Sequence, residues 1–378
     1  MPITRRTALL SAAAALPSFA IIGRARAADT IKIGVVSPLT GPAAQVGAIQ
    51  LNSCKLAAAE INAAGGVLGK QVELVIEDDA TTNPGAVLAF SRLASDASIV
   101  GFIGSIRSTQ VNAMAPDVAK IGKPMMFGGT DPTLTHSGYH WLFRCRPNDS
   151  FSGRVIAQYG NDTLKKKDWA IVHSTDAFGN GGKGAMVDAL GKLGITPKLV
   201  QGYSNQQADF TPVVLAVKSS GADILCSYFT FEPDIAVFAR QLRQLGVTIP
   251  WIGSPSIASP VTMGLAKNAL FGTYGVADFL KDANPQAVAF SAAYTKKYGG
   301  EPDSGWTYDA LHILAQAINT AKSTEPDKIR AAIVGLKGFK GTEGEYNYDE
   351  NGDGLRGYNI EENVKGVTTF SKHIEFTS

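Results

Sequence analysis

Cysteine is scarce in this chain, and what there is does not pair by number. Cys54, Cys145 and Cys226 are the 3 cysteines of 378 residues, an odd and widely spaced set that makes no disulfide framework. Cys54 falls in a helical pattern, Cys226 in a buried-strand pattern and Cys145 after another strand, so all three read as small apolar fillers. Histidine is nearly as sparse. The 5 histidines (His136, His140, His173, His312, His373) form no H-E-x-x-H pair, and neither a G-x-S-x-G turn nor a Cys/His cluster accompanies them. His136 and His140 are four apart, but Gly138 lies between them in a loop. His312 lies in a helical run and reads as a packed side chain. Nothing here assembles a nucleophile, a base and an orienter, so an enzyme is not expected, and neither a metal nor a cofactor.

Charge of either sign is also lacking in excess. The formal net charge is +2, and residues 1–27 hold four arginines and no acid. Thr4-Arg5-Arg6-Thr7 opens a basic segment, 8–22 is an alanine-rich apolar core, and Ala25-Arg26-Ala27 is a small-x-small cleavage signal. Residues 1–27 therefore read as an export leader, and the paired arginines suggest the twin-arginine route, which carries folded proteins. Removing 27 of the 378 residues would leave 351, and the four leader arginines take the charge from +2 to −2. A near-neutral chain argues against nucleic acid as a partner. No later apolar run approaches bilayer-spanning length, so the mature protein is expected to be extracytoplasmic, periplasmic and not membrane-embedded. Its length is natural for two cores.

What is present in abundance is a β-α rhythm. Strands are predicted at 31–36 (IKIGVV), 71–78 (QVELVIED), 99–104 and 125–127, with helices over 48–62, 83–93 and 105–118 between them. A further strand at 139–146 and the turn Pro147-Asn148-Asp149 read as a crossover to a second series. That series has strands at 169–173, 198–202, 224–229 and 251–253 and helices over 181–193, 210–219 and 234–245. Residues 275–278 look like a second crossover, 285–298 and 306–321 like helices returning to the first lobe, and 349–357 like a third crossover before terminal strands in 358–376. The pattern predicts an α/β protein of two similar doubly wound parallel-sheet lobes joined by three crossovers. One lobe would hold 28–147 with 278–348, the other 148–277 with 349–378.

Two motifs resemble chemistry. Gly179-Asn180-Gly181-Gly182-Lys183-Gly184 has the G-x-G-x-x-G spacing, but no acid ends the next strand to hold a ribose; a flexible interlobe turn presenting Phe178 is the preferred reading. Asp349-x-Asn351-x-Asp353-Gly354 opens like a calcium loop, but Ile360 stands at the twelfth position and no paired helices flank it, so a bend is the better account.

The stretch GFIGSIRSTQVNAMAPDVAKIGKPMMFGGTDPTLT, from Gly101, is where a site is expected. Loops at the C-terminal ends of neighbouring parallel strands share one sheet edge, the ligand-binding edge of such folds. Ser108 and Thr130 should face one another there across a cleft, each beside unpaired backbone N–H groups suited to a small anion such as a carboxylate. Alternatively both simply cap helices.

By order and spacing, IKIGVVSPLTGPAAQVG from Ile31, AEINAAGGVLGKQVELVIEDDATTNP from Ala59, the stretch above, ADFTPVV from Ala208, ARQLRQLG from Ala239 and TYDALHILAQAI from Thr307 carry a resemblance over nearly the whole mature chain. The chain resembles periplasmic substrate-binding proteins of the leucine/isoleucine/valine-binding type, the type I periplasmic binding fold that serves ABC importers. The resemblance implies two lobes that close around a ligand, a monomer, and an importer permease as partner. It also implies site positions: Ser108 by its hydroxyl and Thr130 partly by backbone N–H on the ligand carboxylate, Gly128 by its main chain, and the second-lobe aromatics Phe178 and Phe231.

Two departures bear on the ligand. The amino-acid binders carry an acid after the strand matching Trp251-Ile252-Gly253, where it pairs with the ligand ammonium; here Pro255 falls at or near that place. An unpaired buried ammonium is costly, and Glu232 or Asp234 could substitute, though Asp234 could equally cap a helix. Val46 stands where an aromatic is common and leaves more room. Arg107 is an added cation, either solvated or paired with a second carboxylate or phenolate. The expected function is capture of a small carboxylate, a branched-chain or other apolar amino acid or an aromatic or aliphatic acid, by hinge closure. The alternative is a periplasmic sensing module that presents its bound state to a membrane receptor.

Overall fold

The computed structural model describes residues 30–376; the expected leader lies outside them. The chain opens as successive β-α units: β1 (Ile31–Ser37), α1 (Ala44–Ala63), β2 (Val72–Asp78), α2 (Asn83–Ser95), β3 (Ile99–Ile103), α3 (Ser108–Ile121), β4 (Met125–Phe127), the short α4 (Thr133–His136) and β5 (Leu142–Arg144). Their strands pair in the order β2-β1-β3-β4-β5, all parallel. Apolar strands of this kind are buried on both faces. Ile33, Val35 and Ile103 face α1 on one side, while Phe102, Met125 and Phe127 pack with Phe90, Val111 and Met114 of α2 and α3 on the other.

A second series follows: α5 (Asp149–Asp162), β6 (Trp169–Ser174), α6 (Ala177–Lys192), β7 (Leu199–Tyr203), α7 (Thr211–Ser219), β8 (Ile224–Tyr228), α8 (Glu232–Gln244), β9 (Trp251–Gly253), α9 (Pro260–Ala266) and β10 (Tyr274–Ala277). The chain then contributes α10 (Pro285–Tyr298), α11 (Trp306–Ala321), α12 (Pro326–Val334) and the small hairpin of β11 (Phe339–Lys340) and β12 (Glu345–Tyr346). It ends in β13 (Gly357–Val364) and β14 (Val367–Glu375). Helix α11 returns to the first sheet, where Ala310, Leu311 and Leu314 join the core of Ile33 and Val35. The molecule thus has two α/β lobes.

Several expectations are corrected. The second sheet, ordered β14-β13-β10-β9-β8-β6-β7, is not purely parallel, because β13 pairs antiparallel with β10 and with β14. Residues 275–278 are not a crossover; 274–277 is strand β10, and the chain leaves the sheet only after it. The predicted strand over 139–146 is reduced to three residues. The glycine-rich segment 179–184 is not a turn but lies inside α6. Its helical form is explained by packing: a Cβ on Gly179 would lie 2.0 Å from the Ser174 carbonyl oxygen, and one on Gly182 would lie 2.0 Å from the Tyr228 ring. The glycines let α6 lie directly on the sheet. All three cysteines are buried and free. In the 349–354 bend the Asp349 carboxylate accepts from the backbone N–H groups of Asn351, Gly352 and Asp353, so Asp349 serves the turn itself, while Asp353 bonds Arg144. His312 is a packed side chain against Tyr308.

Gly182 and Gly184 give a paired test. Gly182→Ala is expected to destabilise by about 1–3 kcal/mol through overpacking against Tyr228. Gly184→Ala, with nothing within 4 Å of the added Cβ, should stabilise by about 0.5–1 kcal/mol as a helix-interior alanine. Urea denaturation distinguishes this from a flexible turn, in which both changes would be nearly neutral.

Candidate functional site

The site begins where β3 turns into α3. Gly104 has φ 128°, and a Cβ there would lie 2.0 Å from the Val36 carbonyl oxygen, so only glycine allows this close passage over β1. The turn delivers Arg107 to the N-cap position of α3 and Ser108 to its first residue. The next loop is fastened to this one. The Ser108 Oγ accepts from the Asp131 N–H at 3.1 Å, which leaves the hydroxyl proton for another acceptor. Gly129 passes so close that a Cβ would lie 2.9 Å from the Ser108 Cα. The Thr130 hydroxyl donates to Asp149 at 2.8 Å, and its carbonyl accepts from the Asp149 N–H. Burial pushes the Asp149 carboxyl up to about 7, against the opposing pull of Thr130 and Ser152.

These loops line a cavity of about 350 Å³, at the small end of the ~300–1,000 Å³ typical of small-molecule sites. Ser108, Thr130, Arg107 and Val46 line it from the first lobe, Phe178 and Pro255 from the second. Two expected members stand elsewhere. The Gly128 main chain is occupied within the protein, its N–H donating to the Ser105 carbonyl and its carbonyl accepting from Arg146 at 3.2 Å. Phe231 is buried behind the wall, and its ring lies 5.2 Å from the Arg107 guanidinium carbon.

Arg107 is neither solvated nor unpaired. It reaches across to the second lobe, donating to the Thr230 carbonyl and to Glu232 at 3.0 Å. Both side chains are buried, and Glu232 also lines the cavity. Asp234 accepts from the Gln206 N–H, and burial raises its carboxyl to about 6; it is not a lining residue. The second cavity arginine, Arg146, pairs with Asp278; burial disfavours its charge, but the Asp278 carboxylate beside it outweighs that and holds the guanidinium firmly protonated.

Sequence reasoning missed Arg146, Asp278, Asp303 and Glu361, all of which line the cavity. Arg146 and Asp278 flank crossovers, where a charge on an otherwise apolar run was the available signal. Glu361 sits on β13 between Ile360 and Glu362, and only the strand's register reveals which face it takes. Ile360 enters the core, so Glu361 turns the other way. Burial, with Asp278 adding to it, pushes the Glu361 carboxyl up to about 8. Burial likewise raises Asp303 to about 7.

A two-lobed α/β chain with a cavity between its lobes has the architecture of a solute-binding protein. Comparison with known proteins agrees. The sequence pattern of the periplasmic binding protein family matches residues 30–360, and the chain belongs to that family. It is 29% identical over 357 residues to a leucine-, isoleucine-, valine-, threonine- and alanine-binding protein of Pseudomonas aeruginosa, covering 93% of each chain. Among solved structures it is similar to the leucine-binding protein LivK of Thermotoga maritima, with a TM-score of 0.85 and 26% identity over 92% of this chain and 99% of that one. The solute-binding protein of an ABC transporter from Rhodopseudomonas palustris, in complex with 3,4-dihydroxybenzoic acid, shares the fold at a TM-score of 0.83 with 20% identity, over 92% of this chain and 98% of that one. No helix among the described residues is long and apolar enough to cross a membrane.

The raised Glu361 has a pH signature. The folded state favours its neutral form, so its contribution to stability is full below its ordinary value of 4.5 and is lost as pH rises through about 8. Glu361→Gln removes that dependence. The melting temperature of the ligand-free protein should therefore fall relative to Glu361→Gln between about pH 4.5 and about pH 8. Parallel curves by differential scanning calorimetry would place the ionised carboxylate in water.

Proposed function

We propose that this chain is the solute-binding component of an ABC importer, a monomer that captures a small carboxylate with an apolar or aromatic body by hinge closure and presents the closed form to a permease. The observation that carries the reading is the N-terminus of α3. The Ser108 hydroxyl proton and the Thr130 backbone N–H have no protein acceptor among the described residues, and both residues line the cavity. Helix N-termini favour anions through their free N–H groups and dipole. The names of relatives support the solute class, since the Pseudomonas aeruginosa protein is called a binder of small apolar amino acids and threonine. Val46 and Phe178 supply apolar wall for such a side chain. The Arg107–Glu232 bond between the lobes supports closure, because it forms only when the two walls meet. The twin-arginine route belongs to the same proposal.

A thermal-shift panel of leucine, isoleucine, valine, phenylalanine, benzoate and cinnamate should give at least one clear rise in melting temperature, since a ligand bound only by the native state stabilises it. With the best of these in isothermal titration, Ser108→Ala and Thr130→Ala should each weaken binding by about 1–3 kcal/mol. The second acts by releasing Asp149 from the loop that orients the Thr130 N–H. Wild-type affinity in both variants would overturn the site.

A further inference from the structure

The cavity is unbalanced in charge. Its lining cations are Arg107, Arg146 and Lys281, and each is already paired: Arg107 with Glu232, Arg146 with Asp278 and Lys281 with Glu301 at 2.7 Å. Three lining carboxylates are left over, Asp282, Asp303 and Glu361; Asp282 is exposed to solvent, which leaves Asp303 and Glu361 as the inner two. Asp303 has only the neighbouring Ser304 hydroxyl as donor. Glu361 is 4% exposed, and it has no hydrogen-bond or ion-pair partner among the described residues. An unpartnered buried carboxylate is expensive to keep, and this one faces the cavity. A solute carboxylate entering the same space would bring a negative charge that none of these groups offsets.

We propose that Glu361, seconded by Asp303, receives a positively charged group of the solute, so that the captured molecule is a carboxylate that also carries a cation. This rests on the carboxylate reading above and narrows it. The acid that meets the cation comes from β13, beside the hinge connections, while the position after β9 is filled by Pro255. Glu361 is then a specificity-determining residue. Its ionised form meets the cation at short range in a space poor in water, where opposite charges attract strongly. The same carboxylate is a penalty for any uncharged acid.

The test uses matched pairs that differ in one charge: leucine against 4-methylpentanoate, 6-aminohexanoate against hexanoate, and 4-(aminomethyl)benzoate against 4-methylbenzoate, each measured by isothermal titration. The cation-bearing member of at least one pair is expected to bind ten-fold or more tighter than its counterpart. Glu361→Gln should erase most of that preference without weakening the cation-free member, and Asp303→Asn should reduce it in part. Circular dichroism melts of the free variants check that each is folded, and the two substitutions are independent probes. The proposal is overturned if none of the cation-bearing acids binds, if their cation-free partners bind equally well, or if the preference survives in Glu361→Gln. Cadaverine separates this from the carboxylate reading. Cadaverine binding as tightly as 6-aminohexanoate, with Ser108→Ala without effect on 6-aminohexanoate, would leave the cation subsite standing and remove the carboxylate.

Discussion

The structure hangs on one buried ion pair between its halves. Arg107 leaves the first lobe at the mouth of α3 and is held in the second by Glu232, the Thr230 carbonyl and the face of Phe231. Removing one member of such a pair leaves a buried charge uncompensated, at about 3–5 kcal/mol. A molecule that can open avoids that by letting water in. Under the proposed hinge closure the pair favours the closed form, and in the structure it spans a cavity lined by Ser108 and Thr130 from one lobe and Phe178 and Pro255 from the other.

The crossovers supply the second constraint. Arg144 ends β5 and bonds Asp353 of the last connection at 2.7 Å, with that charge and its neighbours holding the Asp353 carboxyl well below the usual range despite burial. Arg146 ties the first connection to Asp278 of the second. The Tyr358 hydroxyl donates to the Pro147 carbonyl at 2.6 Å. The three chain passages are thus cross-bonded to each other and not only to the lobes. Such cross-bonding is compatible with the proposed hinge closure, in which a few connecting residues absorb the change.

Much of this was legible in the sequence because it is periodic. The alternating units of the first lobe, helices α10 and α11 and the terminal strands follow from apolar spacing, and Ser108 and Thr130 follow from the sheet-edge rule. What was not legible depends on contacts distant in sequence. Gly182 looks like a loop residue until Tyr228 is seen against it. The antiparallel β13 has an apolar-polar pattern like that of any edge strand, so its pairing with β10 carries no local mark. Arg107 reads as loop charge because its partner lies 125 residues away. Glu361 is one acid among several near the C-terminus, and only register turns it into the cavity. Short-range pattern thus fixes the elements, while charge pairing across the cleft decides the chemistry of the site.

Small-angle X-ray scattering of the ligand-free protein and of Arg107→Ala tests the central claim most directly. The account predicts a larger radius of gyration for Arg107→Ala, with the wild-type profile matching the closed arrangement and Glu232→Gln shifting in the same direction as Arg107→Ala. Superimposable profiles for all three would contradict it, because the lobes would then be held together by something other than the pair that spans them.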